Sequence, residues 1–496
     1  MKRCDQMITE AEYLLTVSAI ILSIFTGIAP ASPTITANES SFHQEYDPNQ
    51  ILVQFHDDVA WEDKINLISS LQCHLMDHSL YTGCMRVMID PQSNLEDMIA
   101  AFESHSEMVA YAEKESLVRG FLIPNDPFYN FQWHFNDQAG ANINIEEAWE
   151  METGDPCVVI AVIDTGIAYE NFDIFAQAPD LANTRFVAGY DFVNNDTHPN
   201  DDNGHGTHVT GTISQSTNNG LGVAGVAFDC SVMPVKSLGA NNGGSVFDVA
   251  DGVIFAALNG AKVINMSLGG RGDSITLRNA CQMAHEMGVT IVCAAGNEFN
   301  DGNPMIYPAA YDEFCIAVGA VRYDKSRANY SSVGTYVDIA APGGDLAVDQ
   351  NGDGFGDGVL QQTFSQFDVT DFSYYFFQGT SMAAPHVAGV AGLLYSKGVT
   401  DPQKIRLAIE KTAQDLGPPG TDPEYGAGLL NAGEALVFSI QGDLTGDLIV
   451  DLRDLKLFSD FWLVSGQNMA DLDGNEFVDL KDFNIFAANW APMLDK

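Results

Sequence analysis

Basic residues are scarce in this chain. Against 67 Asp and Glu stand 22 Lys and Arg, a formal net charge of -45. A surface this poor in cations cannot neutralise a run of phosphates, which excludes nucleic-acid backbone binding as the main role. No C-x-x-C occurs among the eight cysteines, Cys4, Cys73, Cys84, Cys157, Cys230, Cys281, Cys293 and Cys315. That removes the thioredoxin-type and zinc-ribbon motifs. Most of these cysteines stand in apolar runs such as "CVVIAVID" and "VTIVCAAGN". There a thiol acts as a small buried hydrophobe rather than half of a disulfide framework. H-E-x-x-H is missing too, so His205 and His208 find no support as a zinc pair. Past the N-terminal region no apolar run is long enough to span a bilayer.

What the chain does have is apolar residues at 46% and length, 496 residues, enough for a large buried core and more than one domain. The surplus acid fits a solvated surface or carboxylate clusters that hold hard cations. At the N-terminus Lys2 and Arg3 precede "LLTVSAIILSIF" (Leu14 to Phe25), and "APA" (Ala29 to Ala31) offers a small-residue cleavage site. Residues 1–31 therefore read as an export signal. The acidic Asp5, Glu10 and Glu12 keep a retained anchor open as the alternative. Either way the expected location is secreted or extracellular, or attached at the cell surface.

Residues 43–120 alternate strand-like and helix-like runs ("ILVQF", "WEDKINLISSLQCHL", "CMRVMI", "NLEDMIAAFESH") and predict a small α+β module. The joint "RGFLIPNDPF" follows. Over residues 121–438 continuous apolar strands ("VVIAVIDTG", "SVMPVKSLG", "AKVINMSLGG", "VTIVCAAGN", "FCIAVGAV") alternate with helical segments. That pattern predicts an α/β fold, a parallel sheet covered by helices on both faces, with its active site at the carboxyl ends of the strands. Over residues 440–491, "GDLTGDLIVDLRDLKLFSDFW" is echoed by "ADLDGNEFVDLKDFNIFAANW" 28 residues on, from Asp443 to Asp471.

Four polar residues stand where such a sheet would present them. Asp164 ends a strand in "VIDTG", His205 opens a Gly-rich helix start in "NGHGTHVTGT", Asn297 follows a strand in "AAGNE", and Ser381 lies at a helix start in "GTSMAAPHVAG". Taken singly, each is a common cap or turn residue. Taken together, in the order Asp, His, Asn, Ser, these segments resemble the signature set of the subtilisin-like serine peptidases, and most of all the thermitase and subtilisin branch. The likeness runs from about Asn125 to Leu436 and takes in "VINMSLGG", "YPAAYDEFCIAVGAV" and "YGAGLLNAGEAL". It implies that Ser381 is the nucleophile, His205 the base, Asp164 its orienting acid and Asn297 an oxyanion donor. It also implies that Gly243, Gly244 and Ser245 together with Ser267, Leu268, Gly269 and Gly270 are the edges that bind an extended peptide. Ile306 falls where the family forms the floor of its primary pocket, so a narrowed pocket is expected.

The same resemblance extends outward. Residues 43–120 are similar to the family's propeptide, an inhibitor and folding assistant. Asp126, Asp173, Asn219, Leu221 and Val223 match its high-affinity calcium site, so Ca2+ is the expected cofactor. "DFVNNDTHPN", with Asp191, Asn194 and Asp196, matches a second calcium site from which His198 departs. "DQNGDGFGDG" reads equally as a calcium-ordered insertion or a solvated acidic turn. The C-terminal repeats resemble a type I dockerin, a small α-helical pair of EF-hand-like calcium loops. The first offers Asp443, Thr445, Asp447, Asp451 and Asp454; the second offers Asp471, Asp473, Asn475, Asp479 and Asp482. The family partner of a dockerin is a cohesin module on another protein; a self-packing cap is the alternative. The expected protein is a secreted, calcium-stabilised serine endopeptidase made as a zymogen. One rival is a binding protein with an inert large domain. Another is an esterase, against which the lack of G-x-S-x-G around Ser381 stands.

Overall fold

The computed structural model describes residues 46–90, 93–116, 122–136, 140–365, 368–438, 443–444, 450, 452–463, 470, 472, 477–478 and 480–488. The expected export signal lies outside them. The described residues form two compact units, divided after Phe438.

Along β1 (Tyr46–Phe55), Ile51, Val53 and Phe55 are buried while Leu52 and Gln54 are half-buried, the period-2 signature of a strand with one face on a core. It is flanked by β2 (His74–His78), β3 (Met85–Met88) and β4 (Val109–Ser116) in the antiparallel order β2-β3-β1-β4. Helices Trp61–Ser70 and Leu95–Glu103 add Leu67, Ile68 and Phe102 to the same core. The helical run read through "SLQCHL" stops at Ser70, and β2 is a strand the sequence pattern did not separate. The reversal is made by Gln72, whose φ of 61° takes the left-handed turn that usually ends a helix at glycine.

The large module carries β5 (Val159–Asp164), β6 (Arg185–Phe186), β7 (Tyr190–Asp191), β8 (Ser231–Lys236), β9 (Val263–Met266), β10 (Thr290–Ala294), β11 (Cys315–Val321) and β12 (Ile339–Pro342). Their order is β12-β11-β10-β9-β5-β8-β6, with β7 also on β8, and every pair is parallel. Strands β8 to β11 are buried at every position, as a sheet covered on both faces requires. Ala161, Ile163, Ile264 and Cys293 pack against helices Val246–Leu258 and Ile275–Glu286. Alternate residues point the other way: Ile160 meets Gly392 of the helix Thr380–Ser396. The chain adds β8 on one side of β5 and β9 on the other. The crevice beyond the carboxyl ends of these strands is where such sheets bind ligands.

In the C-terminal unit, helices Leu452–Asp460 and Leu480–Ala488 bury Val450, Phe458, Ala470, Val478 and Phe486 in one core. The equivalent aromatics Phe458 and Phe486 meet with ring centroids 5.1 Å apart. Among the described residues no helix is long and apolar enough to cross a membrane. Their cysteines are free thiols.

Candidate active site

Asp164 closes β5 and is fully buried. Its Oδ1 accepts the backbone N–H of Thr165 at 2.7 Å and a bond from His205 Nδ1 at 2.8 Å. A carboxylate on Nδ1 keeps the proton there and leaves Nε2 as the basic nitrogen. His205 itself begins the helix His205–Ser214. Glycine is needed beside it: a Cβ on Gly206 would stand 2.2 Å from the carbonyl oxygen of Gly166. Burial works to lower the His205 pKa, but the charge and hydrogen bond of Asp164, with Asp201 adding to them, leave it raised.

Two residues that sequence reasoning passed over build this corner. Buried Asp201 accepts from Thr165 Oγ1 (2.8 Å), from the N–H groups of Asn203 and Gly204 (both 2.9 Å), and from the N–H and hydroxyl of Thr207. It thus gathers the donors of the helix start that presents His205. Lys236, at the end of β8 and buried, donates to the carbonyls of Thr165 and Leu238 and to Asp202 at 2.6 Å. The signal for Asp201 is the first acid of "DDNGHG", three positions ahead of Gly204 at the helix start. His208 takes no part: it is stacked on Phe377 at 4.2 Å and bonded to the carbonyl of Tyr375.

Ser381 enters the helix Thr380–Ser396 after Gly379, whose φ 150° and ψ 163° are open essentially to glycine alone. Pro385 sits inside that helix and has no N–H to return to the carbonyl of Ser381. That carbonyl instead accepts the hydroxyl of Ser267 at 2.8 Å, while the Ser381 hydroxyl donates to the carbonyl of Ser267 at 3.1 Å. The reciprocal pair ties the helix start to the segment after β9.

Asn297 follows β10, and its Oδ1 accepts from the N–H and the hydroxyl of Thr380, at 2.9 and 3.0 Å. With the oxygen so held, Nδ2 is the outward end of the amide. Asn297, Ser381, Gly243, Gly244, Ser245, Ser267, Leu268, Gly269 and Gly270 all line one cleft of about 430 Å³. Gly270 already exchanges both backbone bonds with Tyr307. Ser245 also caps the helix Val246–Leu258 by accepting from Asp248 N–H at 3.0 Å. Ile306 is buried between the two backbones that wall the cleft: a Cβ on Gly269 or Gly296 would come within 2.5 or 2.6 Å of it.

The residues expected to hold calcium are brought together in part. Asp126 is buried and accepts the N–H groups of Asn218 and Asn219. Asn219 donates to the buried Asp180 at 2.8 Å, and Val223 N–H reaches the same carboxylate at 3.1 Å. Asp173 does not join them: it lies exposed on the Phe172–Phe175 turn with φ 51°. Asp180, seven positions later, stands in its place, because that turn lengthens the path from Asp164. The missed signal was the "PDL" tripeptide holding Asp180. Burial pushes Asp180 up to about 7, with repulsion from Asp126 adding to it, and burial raises Asp126 as well. Neither forms an ion pair among the described residues. Two buried carboxylates, an amide and the carbonyls of Leu221 and Val223 are a donor set that fits a hard cation. No three His, Cys, Asp or Glu side chains converge on a metal point among the described residues, so the backbone would have to supply much of the cage.

The second loop expected to hold calcium is closed on itself. Asp191 accepts from Val193 and Asn194, and His198 is bonded to Glu170 at 2.9 Å and stacked on Phe172. In the C-terminal unit Asp454 accepts Leu444 N–H and Asp482 accepts Leu472 N–H, the same bond in each repeat. Asp443 is described, whereas Thr445, Asp447, Asp451, Asp471, Asp473, Asn475 and Asp479 lie outside the described residues.

A cleft walled by backbone segments with a serine at a helix start, together with a carboxylate-oriented imidazole on the helix His205–Ser214, suits a serine hydrolase of extended peptides, because a hydroxyl needs a base to attack. The model of the Subtilase family matches residues 156–428. The thermophilic serine proteinase of Bacillus sp. (strain AK1) is 35% identical over 419 residues, covering 82% of this chain and 95% of that protein. The extracellular protease of Xanthomonas campestris pv. campestris is 36% identical over 375 residues, 67% of this chain and 60% of its own. Among solved structures, a protease from Pseudoalteromonas arctica PAMC 21717 superposes with a TM-score of 0.56 at 36% identity, over 63% of this chain and 98% of that one. The chain belongs to the subtilase family and is a serine-type, subtilisin-like endopeptidase.

Proposed function

We propose that peptide-bond hydrolysis runs through Ser381, His205 and Asp164. Rotation about the Ser381 Cα–Cβ bond carries the hydroxyl from the Ser267 carbonyl to Nε2 of His205. The imidazole takes the proton as the oxygen attacks the scissile carbonyl, and Asp164 stabilises the imidazolium. Asn297 Nδ2 and the N–H groups at the start of the Ser381 helix receive the oxyanion. His205 then gives the proton to the leaving amine, and water repeats the cycle on the acyl-enzyme. The substrate lies extended between Gly243–Ser245 and Ser267–Gly270, and Ile306 favours a small side chain before the cut. The observation that carries this reading is the 2.8 Å bond from His205 to a fully buried Asp164, with Ser381 and Asn297 lining one cleft.

The cation site of this reading is Asp126, Asp180 and Asn219 with the carbonyls of Leu221 and Val223, where calcium supplies the positive charge. Residues 43–120 serve as an inhibitor and folding assistant; their separate core supports an independent role. The C-terminal repeats bind calcium and a cohesin-like partner; the bond repeated at Asp454 and Asp482 supports a duplicated loop. The leader-like N-terminus supports secretion. The test is a serine-directed phosphonate on the matured enzyme. Adduct on Ser381, with casein hydrolysis lost in step, is expected; labelling elsewhere with hydrolysis intact overturns it.

A further inference from the structure

The acidic loop between β12 and the strand Val359–Ser365 is used by none of this. Its sequence D-Q-N-G-D-G-F-G-D, Asp349 to Asp357, puts oxygen-bearing side chains at positions 1, 3, 5 and 9 and glycine at position 6. That glycine, Gly354, has a φ of 92°, which the sharp turn of an EF-hand-type loop also demands at its sixth residue. Three of the side chains are already pinned by the backbone. Asp349 accepts from Gly352 and Gly354, Asn351 from Asp353, and Asp353 from Phe355.

Asp357 is different. It is 1% exposed, its Oδ2 accepts Gln350 N–H at 2.8 Å, the N–H of Asn351 also faces the carboxylate, and its buried Oδ1 accepts no well-formed hydrogen bond. Buried acceptors are paired in the great majority of cases, and an orphan needs an explanation. Burial and the charges of Asp349 and Asp353 push the Asp357 carboxyl up, so the group faces acids rather than a base. Arg322 nearby is engaged by Asp345 at 3.5 Å, and Gln350 donates to Asp324.

We propose that Asp349, Asn351, Asp353 and Asp357 form a calcium site of their own, with the orphan Oδ1 of Asp357 as the oxygen that the ion completes. The loop is not a finished cage, since no three such side chains converge among the described residues. The ion draws the exposed Asp349 and the half-buried Asp353 toward Asp357. Calcium suits this better than magnesium, because it accepts six to eight oxygens in irregular geometry. The site has a route to the reaction. Asp345 N–H is held by the carbonyl of Asp357, Leu346 N–H by Gln378, and Gly379 N–H by the carbonyl of Gly343. Ordering the loop therefore braces the turn two residues ahead of Ser381.

The test counts ions by equilibrium dialysis with Ca2+ on the full chain carrying Ser381→Ala, which prevents self-digestion and does not depend on turnover. Asp357→Asn should bind one ion fewer, or bind it at least tenfold more weakly. Asp126→Asn should lose a different ion, and the double variant should lose both. An unchanged count and affinity in Asp357→Asn and in Asp353→Asn overturns the loop site while leaving the Asp126 reading intact. Should Asp357→Asn not fold, cleavage of the parent chain by an added peptidase answers instead. Protection within residues 349–357 by Ca2+ supports the site, and cutting there at the same rate with and without Ca2+ overturns it.

Discussion

Asp164 and Asp180 lie in the same unit, both fully buried, and their surroundings differ in one respect. Asp164 has an imidazole that can become a cation; Asp180 has one backbone N–H, an amide, a phenol and a second carboxylate. In the first arrangement Oδ1 is held by Thr165 and His205 while the buried Oδ2 has no partner, and on the proposed reading the carboxylate lends its charge to a proton transfer. The second is incomplete without a counter-charge, which burial makes expensive to do without. On the proposed reading, the buried acid with a titratable partner serves the chemistry, and the one facing another acid serves to hold a cation.

The largest effect should come from breaking the first arrangement. Ser381→Ala is expected to cut kcat on the order of a million-fold, the scale known for triad loss in subtilisin, and adding His205→Ala should cost almost nothing more. Additive losses in the double variant, measured by steady-state kinetics, would show that the two do not act as a unit. Asn297→Ala should lower kcat by about 10²- to 10³-fold with KM little moved, since it meets charge that develops only in the transition state. A KM effect of that size instead would make Asn297 a ground-state contact.

The second arrangement is tested by chelation. An unfolded Asp releases its proton near 3.9, whereas Asp180 holds it to about 7. Between those values the folded state binds the extra proton, so in chelator stability should fall as pH rises, by roughly a few kcal/mol in total. Calcium should abolish the slope, as should Asp180→Asn; melting curves of the Ser381→Ala chain with and without Ca2+ decide. A slope that persists in Asp180→Asn removes the assignment. The smallest effect is a displacement of the acid limb of kcat/KM. His205 acts when neutral and its pKa is raised, so activity should be lost on acidification with a midpoint above 6.5. A midpoint below 6.5 would mean that burial outweighs Asp164.

How much of this could be read from the residues depends on distance along the chain. Asp164, His205, Asn297 and Ser381 stand at strand ends and helix starts flanked by glycine, so local pattern locates them. The parallel sheet follows from apolar strands alternating with helices. Asp173 stands nine positions after Asp164, the spacing that the resemblance implies, and a fixed spacing fails when a turn such as Phe172–Phe175 intervenes. Asp201 bonds mostly to residues two to six positions on and is legible in "DDNGHG", whereas Lys236 acts through the carbonyl of Thr165 and the carboxylate of Asp202, which only folding brings near, so its role leaves no local trace. The strand β2 was hidden because a left-handed turn at Gln72, a residue with a Cβ, is not a stop signal that sequence offers.

Pro385 leaves the carbonyl of Ser381 unspent in the first turn of its helix, and Ser267 takes it. The consequence is mechanical: what the proposed reading takes as the peptide-binding wall and the attacking hydroxyl are bolted to each other rather than hung from separate loops. A substrate that shifts the wall shifts the attacker with it, so alignment between them survives strain on either side. Alanine at 385 would let the helix reclaim its own bond and turn one rigid jaw into two loose ones.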